Sequence, residues 1–374
     1  MDKIDQHNII SSDMAKEIIR TSVQTLIDNP DLAESLPPIL LRGAPGCGKS
    51  TIVKQIAKEL GIGFVDVRLA EMERVDVCGL PSVDSETGTS KWNVPAFWPQ
   101  DPDSKGIILL DEITSAPQDC QVAAYQIVLD RAISNSNYKI PKGWLIVACG
   151  NRTMDRAVVK SMSSALANRF AHFEMEANPE DWIPWAVTQD IHPSVTGFIK
   201  FRPDKLFQMK GQNLEMGWPS PRSWERVSHI LPLFNDETTL RKVVYGLVGD
   251  NVGVEFMEFH RINKNFGNIL KMLTDPKAKI IIPQKSDERY AMAAAVSYLI
   301  WNGKNEEDDK TRTSGMYRIC MQMPADFATM IVKNAMLGNK RVDRPHAVQY
   351  IAHAKEYKDF VEKYGDSFNK SYSL

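Results

Sequence analysis

Two short segments of the chain combine residue types that act on phosphates. Residues 43–50 read GAPGCGKS, which is a complete G-x-x-x-x-G-K-[ST] phosphate-binding loop. About sixty residues later, residues 106–112 read GIILLDE, an apolar run that ends in two acids. A phosphate loop supplies anion binding, and two acids at a strand end supply a metal ligand and a base. Together the segments predict a site that binds and hydrolyses ATP or GTP.

The chemistry of phosphate binding explains the residue types in the first segment. Its glycines let the backbone curl around oxygen atoms, and the N-terminus of the helix that follows favours anions. Lys49 is predicted to reach the β- and γ-phosphates, while the Ser50 hydroxyl holds Mg²⁺. The alternative is a plain glycine turn between a strand and a helix. The predicted nucleotide-binding residues are Gly43, Ala44, Pro45, Gly46, Cys47, Gly48, Lys49, Ser50 and Thr51.

The two acids of the second segment have separate predicted roles. Asp111 is expected to orient Mg²⁺, so that Ser50 and Asp111 form the predicted metal site. Glu112 is expected to act as the general base that polarises the attacking water. The alternative is that both acids only mark the solvated end of a strand.

Composition excludes several other classes of protein. The 374 residues include 45 basic and 47 acidic side chains, a net charge of -2, so no overall field favours nucleic acid or membrane. There is no run of 18 apolar residues and no apolar signal-peptide core at the start, so a cytoplasmic location without membrane association is expected. The five cysteines are odd in number and lack a C-x-x-C pair. They are predicted to be reduced packing residues.

Strand and helix patterns alternate along the first half of the chain. Strands are predicted at 38–41, 64–67, 106–111, 144–149 and 171–175, and helices at 12–26, 51–60 and 116–130. Strands separated by helices favour a parallel five-stranded sheet flanked by helices. Ligand-binding groups are then expected at the carboxyl ends of the strands.

The order of these features resembles the AAA+ ATPases, and more narrowly the MoxR-like group. The resemblance covers residues 35 to about 265 and rests on five segments. They are the phosphate loop, the strand ending in Asp111-Glu112, the strand running into Asn151, the run ALANRF at 165–170 and the run SPRSWE at 220–225. It implies ATP and Mg²⁺ as the cofactors and Asn151 as the first sensor, which hydrogen-bonds the attacking water or the γ-phosphate. The alternative for Asn151 is a side chain that caps the following turn.

Two arginines receive catalytic roles from the same resemblance. Arg169 matches the arginine finger, whose permanent planar charge meets the phosphate oxygens of a neighbouring subunit's nucleotide. Arg152 and Arg156 lie nearby in sequence and stay open as alternatives. Arg222 matches the second sensor, which touches the γ-phosphate from a helical lid. Its alternative is an arginine at a helix start that packs over a tryptophan.

An insertion separates this chain from simpler phosphate-loop enzymes. Residues 83–92 flank a Glu86-Thr87-Gly88 turn and predict a hairpin, and a shorter turn is predicted at 135–137. In MoxR-like proteins a similar hairpin faces the central pore or the partner. Three aromatic residues near it either contact a partner or pack beneath the loop: Trp92, Phe97 and Trp98.

The C-terminal third carries no nucleotide motif. Helices are predicted at 288–301 and 314–337, with a solvated loop at 302–313, and an aromatic stripe near the end suits either a docked helix or a partner-binding tail. The predicted fold class is α/β, a parallel five-stranded phosphate-loop sheet with an α-helical lid and a mainly α-helical C-terminal region. The predicted domains are a nucleotide-binding core at 1–177, a lid at 178–265 and a helical region at 266–374.

The resemblance also implies how the protein works. It implies a homo-oligomeric ring, most often a hexamer, that couples ATP hydrolysis to the remodelling or maturation of a protein partner. It further suggests a co-encoded partner with a von Willebrand factor A domain. The rival hypothesis is a nucleic-acid motor or loader, of the helicase or clamp-loader type, which requires basic hairpins. The first hairpin region has one basic residue, Lys91, and two acidic residues, Asp84 and Glu86. The second turn region has two basic residues, Lys139 and Lys142.

Overall fold

The chain divides into an α/β unit and a helical unit. The structure, a computed structural model, describes residues 8–133, 136–152, 162–209, 216–263, 266–341 and 347–370. The first unit is Met1–Ala177 and the second is Asn178–Leu374. In the described ranges, no helix combines the length and the apolar character needed to cross a membrane. The predicted three-domain division, with a boundary between 265 and 266, stays a prediction.

Strands and helices alternate in the first unit. The strands are β1 (Ile9–Ile10), β2 (Ile39–Arg42), β3 (Gly63–Arg68), β4 (Leu80–Val83), β5 (Ser90–Asn93), β6 (Gly106–Asp111), β7 (Trp144–Gly150) and β8 (Ala171–Met175). The helices are α1 (Ser12–Asp28), α2 (Lys49–Leu60), α3 (Arg74–Cys78), α4 (Gln118–Asp130) and α5 (Ser164–Ala167). Ser11 is the N-cap residue of α1, and its side chain accepts a hydrogen bond from the Met14 amide.

The described part of the main sheet has six parallel strands in the order β1-β8-β2-β7-β6-β3. The predicted α/β class is therefore confirmed, and the five predicted strands are all present. The sixth strand, β1, is only two residues long and pairs with β8. It lacks the length at which an apolar run or an alternation becomes visible in sequence.

Both faces of the sheet are covered, as the apolar runs of its central strands β2, β6 and β7 predict. Along β6, Ile107 and Leu109 belong to one core cluster with side chains of α1 and α2. The alternate residues Ile108 and Leu110 belong to a second cluster with side chains of α3 and α4. Because successive strand residues point to opposite faces, one short run serves two cores.

The second unit is built from helices. They are α6 (Pro179–Thr188), α7 (Pro193–Phe201), α8 (Pro221–Ile230), α9 (Glu237–Val248), α10 (Asp250–Asn263), α11 (Phe266–Thr274), α12 (Ser286–Leu299), α13 (Glu306–Cys320), α14 (Ala325–Gly338), α15 (Ala347–Ala352) and α16 (Tyr357–Lys370). Helices from both sides of residue 265 pack together, since α12 contacts both α7 and α10.

Two sequence predictions for the C-terminal third are wrong. The single helix predicted at 314–337 is divided, because α13 ends at Cys320 and α14 begins after Pro324. Proline has no N–H group and cannot continue a helix interior. The predicted loop at 302–313 is helical from Glu306, where Asn305 caps the helix and accepts a hydrogen bond from the Asp308 amide. Acidic side chains in a first turn favour a helix N-terminus, so this charged run starts a helix.

The aromatic stripe near the C-terminus packs against its own chain. Phe360 is fully buried, and Tyr364 and Phe368 are each 7% exposed within the core cluster of the second unit. The Tyr364 hydroxyl donates to the Cys320 and Met323 carbonyl oxygens at 3.2 and 2.8 Å. The docked-helix interpretation is therefore confirmed. All five cysteines are buried thiols that form no disulfide, as predicted.

A buried histidine pair lies at the start of α7. His192 caps this helix, because its Nδ1 accepts a hydrogen bond from the Ser194 amide at 3.1 Å. The ring of His260 lies 5.8 Å away, and its Nδ1 lies 2.9 Å from the Ser194 hydroxyl. Burial, and next the neighbouring His260, lower the pKa of His192 to about 4, against the opposing influence of Asp190.

This lowered pKa predicts acid sensitivity. Between pH 6.5 and about 4, the unfolded chain binds a proton at His192 that the folded chain does not. As the pH is lowered through this window, the free energy of unfolding should therefore decrease, by up to about 1.4 kcal/mol per pH unit from this group. Chemical denaturation at pH 4 to 7 measures it. His192→Asn keeps a capping acceptor but does not titrate, so its profile should be flatter than the parent's. If the free energy of unfolding depends on pH in the same way in both proteins, His192 is not the cause of the acid sensitivity.

Candidate functional site

The ends of three strands bring the predicted residues to one edge of the sheet. Strand β2 pairs with β7 so that Arg42 lies opposite Gly150, and β7 pairs in turn with β6, which ends at Asp111. The Gly43 amide continues the β2–β7 ladder by donating to the Gly150 carbonyl oxygen at 3.3 Å. The phosphate loop, Asn151 and the two acids therefore follow neighbouring strands at their carboxyl ends.

The phosphate loop presents unused backbone donors. Gly46 and Gly48 have φ values of 80° and 99°, a region in which glycine is not strained. Gly48 is the N-cap residue of α2, and the amides of Gly48, Lys49 and Ser50 make no hydrogen bond with the described residues. Free N–H groups at a helix N-terminus form an anion site. The loop therefore fits the phosphates of a nucleotide.

Tight packing fixes the start of the loop. A Cβ atom built on Gly43 would lie 2.4 Å from the Met175 carbonyl oxygen, which is backbone of β8. A side chain at this position would thus push the loop away from the sheet. The same construction on Gly48 meets nothing within 4 Å. Glycine is required at position 43 by the close approach and at position 48 by the backbone angle.

Lys49 is held inside the loop. Its ammonium group donates to the carbonyl oxygens of Gly43 and Ala44 at 2.7 and 3.1 Å and to Asn151 Oδ1 at 3.2 Å. The side chain is 8% exposed, and no carboxylate among the described residues forms an ion pair with it. Its remaining partner is the Cys47 sulfur at 3.9 Å, so none of these partners neutralises the buried positive charge, which is suited to bind an anion.

Ser50 and Asp111 meet although 61 positions separate them. The Ser50 hydroxyl donates to Asp111 Oδ2 at 2.7 Å, and Asp111 Oδ1 accepts from the Glu112 amide at 2.9 Å. A hydroxyl and a carboxylate in contact are oxygen ligands of the kind that Mg²⁺ prefers. This pair fits the predicted metal site.

Glu112 lies directly after β6 with an exposed side chain and a φ of 56°. A positive φ is unfavourable for a residue that has a Cβ atom, and such strained positions concentrate at functional sites. The sequence does not reveal this backbone angle, because glutamate usually avoids it. The Glu112 backbone amide contacts Asp111 Oδ1, so residue 112 directly follows the Ser50–Asp111 pair, and its role as the base stays a prediction.

Thr114 is a residue that the sequence analysis missed. It is buried at 4% exposure, and its hydroxyl accepts a hydrogen bond from the Asn151 amide at 2.9 Å. A Cβ atom on Gly150 would lie 2.5 Å from the Thr114 methyl carbon. Thr114 therefore locks the end of β7 and sets the position from which the Asn151 side chain reaches Lys49. A lone threonine in a loop gives no sequence signal for this role.

The arginines of the first unit have different surroundings. Arg169 lies two residues after α5, and its guanidinium stacks on Tyr125. Arg152 pairs with Glu174 at 2.7 Å and lies 3.5 Å from Glu176, so its charge is compensated within the unit. Arg156 lies outside the described residues. These contacts favour Arg169 over Arg152 as the finger, and the role itself stays a prediction.

Arg222 belongs to the second unit. It is exposed near the start of α8, where Ser220 caps the helix and Pro221 is the first helical residue. Trp224, on the same helix, is fully buried and donates from its ring nitrogen to the Lys205 carbonyl oxygen. The predicted role of Arg222 as second sensor stays a prediction.

The predicted hairpin is present as β4 and β5, which pair antiparallel. Leu80 and Val83 on β4 are 60% and 73% exposed, which is unusual for large apolar side chains. Of the three aromatic residues near the hairpin, Trp98 is buried, Trp92 is half-buried against the core and Phe97 is exposed. Of the second turn, residue 135 lies outside the described residues.

Comparison with known proteins identifies the domain that contains this site. The family described as "ATPase family associated with various cellular activities (AAA)" matches residues 39–175, so these residues form an AAA-family domain. The chain is also similar to the Thermotoga maritima RuvB Holliday junction branch migration motor, with 16% identity and a TM-score of 0.36, over 69% of this chain and 75% of that chain. Brucella abortus NtrX in complex with ADP matches with 13% identity and a TM-score of 0.36, over 92% and 68% of the respective chains. Scores this low carry no inference about function.

Proposed function

We propose that this AAA+ ATPase, whose AAA-family domain spans residues 39–175, is MoxR-like and works as a ring that remodels a protein partner. The observation that carries the proposal is the convergence of the two motifs. The Ser50 hydroxyl contacts Asp111 at 2.7 Å, and the Lys49 ammonium contacts Asn151 at 3.2 Å. Anion donors, a metal-ligand pair and an exposed carboxylate then lie at one sheet edge, which suits phosphoanhydride hydrolysis.

Binding of the nucleotide would use the loop as it stands. The free amides of Gly48, Lys49 and Ser50 would hold phosphate oxygens, and the Lys49 ammonium would exchange its carbonyl partners for the β- and γ-phosphates. Ser50 and Asp111 would hold Mg²⁺, which offsets negative charge on the phosphates when bound.

Two side chains would act on the attacking water. The Glu112 carboxylate would accept its proton, because this group is exposed and free of described side-chain partners. Asn151, fixed by Thr114, would hydrogen-bond the same water or the γ-phosphate. The contact of Asn151 with Lys49 supports this role, since it shows that the amide reaches the phosphate loop. The alternative, an amide that caps the following turn, involves residues 153–161, which lie outside the described residues.

Hydrolysis would be completed by a neighbouring copy. A guanidinium that meets the phosphates in trans makes turnover depend on assembly, and such fingers are worth about 10³ to 10⁵ in rate. We propose Arg169 as this finger, Arg222 as the second sensor on a helical lid, and a hexamer as the ring. Mechanical work would follow from a change of lid angle upon hydrolysis.

A protein partner fits the hairpin better than nucleic acid does. Its exposed side chains include the apolar Leu80 and Val83, and its turn carries the acids Asp84 and Glu86 beside Lys91. Phosphate binding would need an excess of basic groups. In the second turn, Lys142 is already paired with Asp31 at 2.6 Å. We propose a cytoplasmic protein partner, with a von Willebrand factor A domain protein as the first candidate. The alternative is a nucleic-acid motor or loader.

The hairpin provides the test of partner type. The double variant Val83→Ser and Lys91→Ala should keep the parent's ATPase rate within about twofold, because both side chains are exposed. In a Glu112→Gln background with ATP, a von Willebrand factor A domain partner should co-purify with the intact hairpin and be lost with the double variant. Trp92 is left unchanged because it packs on the core.

The same proteins distinguish the rival. Single- and double-stranded DNA and RNA should neither stimulate the ATPase nor bind with the steep salt dependence that several phosphate contacts impose. Strong stimulation that disappears when Lys91 or Lys139 is replaced by alanine would favour the motor. Unchanged partner retention by the double variant would exclude the hairpin as the partner-binding surface.

A further inference from the structure

The guanidinium of Arg169 is anchored at two points. Its carbon Cζ lies 4.7 Å from the centroid of the Tyr125 ring, so the cation lies over the aromatic face. Its Nη1 donates to the Ala165 carbonyl oxygen, one turn earlier on the same segment. A long arginine side chain otherwise occupies many rotamers, and fixing it in solvent costs conformational entropy. The two contacts therefore select one direction for the guanidinium.

These anchors leave one edge of the guanidinium unused. The Tyr125 ring offers no oxygen or nitrogen acceptor on its face, and Ala165 takes only Nη1. Nε is buried and makes no hydrogen bond, and Nη2 makes none with the described residues. The Nε–Nη2 edge is the fork that binds phosphate or carboxylate oxygens in pairs. The unpartnered Nε–H is unfavourable, but this atom is buried, so an incoming anion would meet the edge through Nη2.

Space for such an anion lies next to it. A cavity of about 720 Å³ opens beside Arg169 and is lined by residues of α5, the turn after it and the start of β8. Its other polar lining includes Ser164, Asn168 and His172. Among the described residues no carboxylate lines it, so these residues give the cavity no counter-charge for the arginine.

Tyr125 is itself firmly placed. It lies in the middle of α4 and packs, half-buried, against the core cluster beneath the sheet. Its hydroxyl makes no hydrogen bond with the described residues, so the ring face is the part that meets Arg169.

The surface around this pair is exposed. Leu129 and Val122 on the same helix are 43% and 56% exposed, which leaves room for a neighbouring copy.

The geometry points to Tyr125 as a positioning residue that aims the Nε–Nη2 edge of Arg169 at the phosphates of a nucleotide held by a second copy of this chain. The inference rests on the proposed ring and deepens it by naming the residue on which the finger's direction depends. An aromatic face is required, because an aliphatic side chain of similar size would fill the space without attracting the cation.

The test measures assembly, so that it does not depend on turnover. In a Glu112→Gln background with ATP and Mg²⁺, analytical ultracentrifugation gives the dissociation constant of the oligomer. Tyr125→Leu should weaken assembly about tenfold, in the range of a partly desolvated cation–π contact. Tyr125→Phe should match the parent, because it keeps the ring face. Thermal melting of the same proteins shows whether Tyr125→Leu remains folded.

A double-mutant cycle with Arg169→Ala isolates the action through the arginine. The effect of Tyr125→Leu on assembly should vanish when Arg169 is absent. An equal effect with and without Arg169 would overturn the inference, and so would equal assembly by Tyr125→Leu and the parent while Arg169→Ala still weakens it. In both of these cases the proposed ring survives. If Arg169→Ala itself leaves assembly and ATPase rate unchanged, the finger acting in trans and the role of Tyr125 are both rejected.

Discussion

The Glu112→Gln protein should bind ATP as tightly as the parent and hydrolyse it at least about a hundredfold more slowly, as loss of a general base implies. Glutamine preserves the size of the side chain and leaves the phosphate loop and the Ser50–Asp111 contact untouched. Binding is measured by titration with a fluorescent ATP analogue, and hydrolysis by phosphate release.

Lys49→Ala is the matched comparison for binding. Its ammonium joins the Gly43 and Ala44 carbonyl oxygens to Asn151, so its loss removes both the charge and the link between two strand ends. Tight ATP binding should disappear in this variant and remain in Glu112→Gln. Parent-like turnover by Glu112→Gln would show that another group is the base, and retained tight binding by Lys49→Ala would contradict the predicted phosphate contact.

Arg169→Ala should retain ATP binding and lose about 10³-fold or more of the hydrolysis rate, as expected for an arginine finger. Because the finger is proposed to act on a neighbouring copy, the parent's specific activity should rise with protein concentration as subunits assemble. A mixture of Arg169→Ala with Glu112→Gln should recover activity that neither protein has alone. The first supplies an intact nucleotide site and the second an intact finger.

Arg152→Ala is the control arginine. Arg152 is paired with Glu174 and lies close to Glu176, so the Arg152→Ala protein should hydrolyse ATP at the rate of the parent. Mixed with Glu112→Gln, it should give the same activity as a mixture of the parent with Glu112→Gln. Loss of hydrolysis in Arg152→Ala together with normal turnover in Arg169→Ala would transfer the finger role to Arg152. Turnover that is independent of concentration, by a protein shown to be monomeric by light scattering, would reject the ring.

The sheet and the phosphate loop were predictable because their signals are local. The central strands β2, β6 and β7 are continuous apolar runs, and the loop needs glycines and a lysine at fixed spacing. The location of the site at one edge of the sheet follows from the rule that ligand-binding groups gather at the carboxyl ends of such strands. The observed contacts of Ser50 with Asp111 and of Lys49 with Asn151 agree with that expectation.

Features that depend on distant contacts were not predictable. Thr114 supports Asn151 and Tyr125 stacks on Arg169 across 37 and 44 positions of sequence respectively, and neither residue type marks the contact. The two-residue strand β1 exists only through its pairing with β8. The division between α13 and α14 is a different case, because Pro324 is visible in the sequence and marks where a continuous helix must end.

The backbone at Glu112 places stability and activity in opposition. Its φ of 56° costs of order 1 kcal/mol or more for any residue with a Cβ atom, and glycine alone would escape this cost. Directed evolution for heat resistance would therefore reward the loss of the proposed base at this position. A thermostable variant that keeps its ATPase activity must therefore retain Glu112 and be stabilised at other positions, for example at exposed helix positions far from the sheet edge.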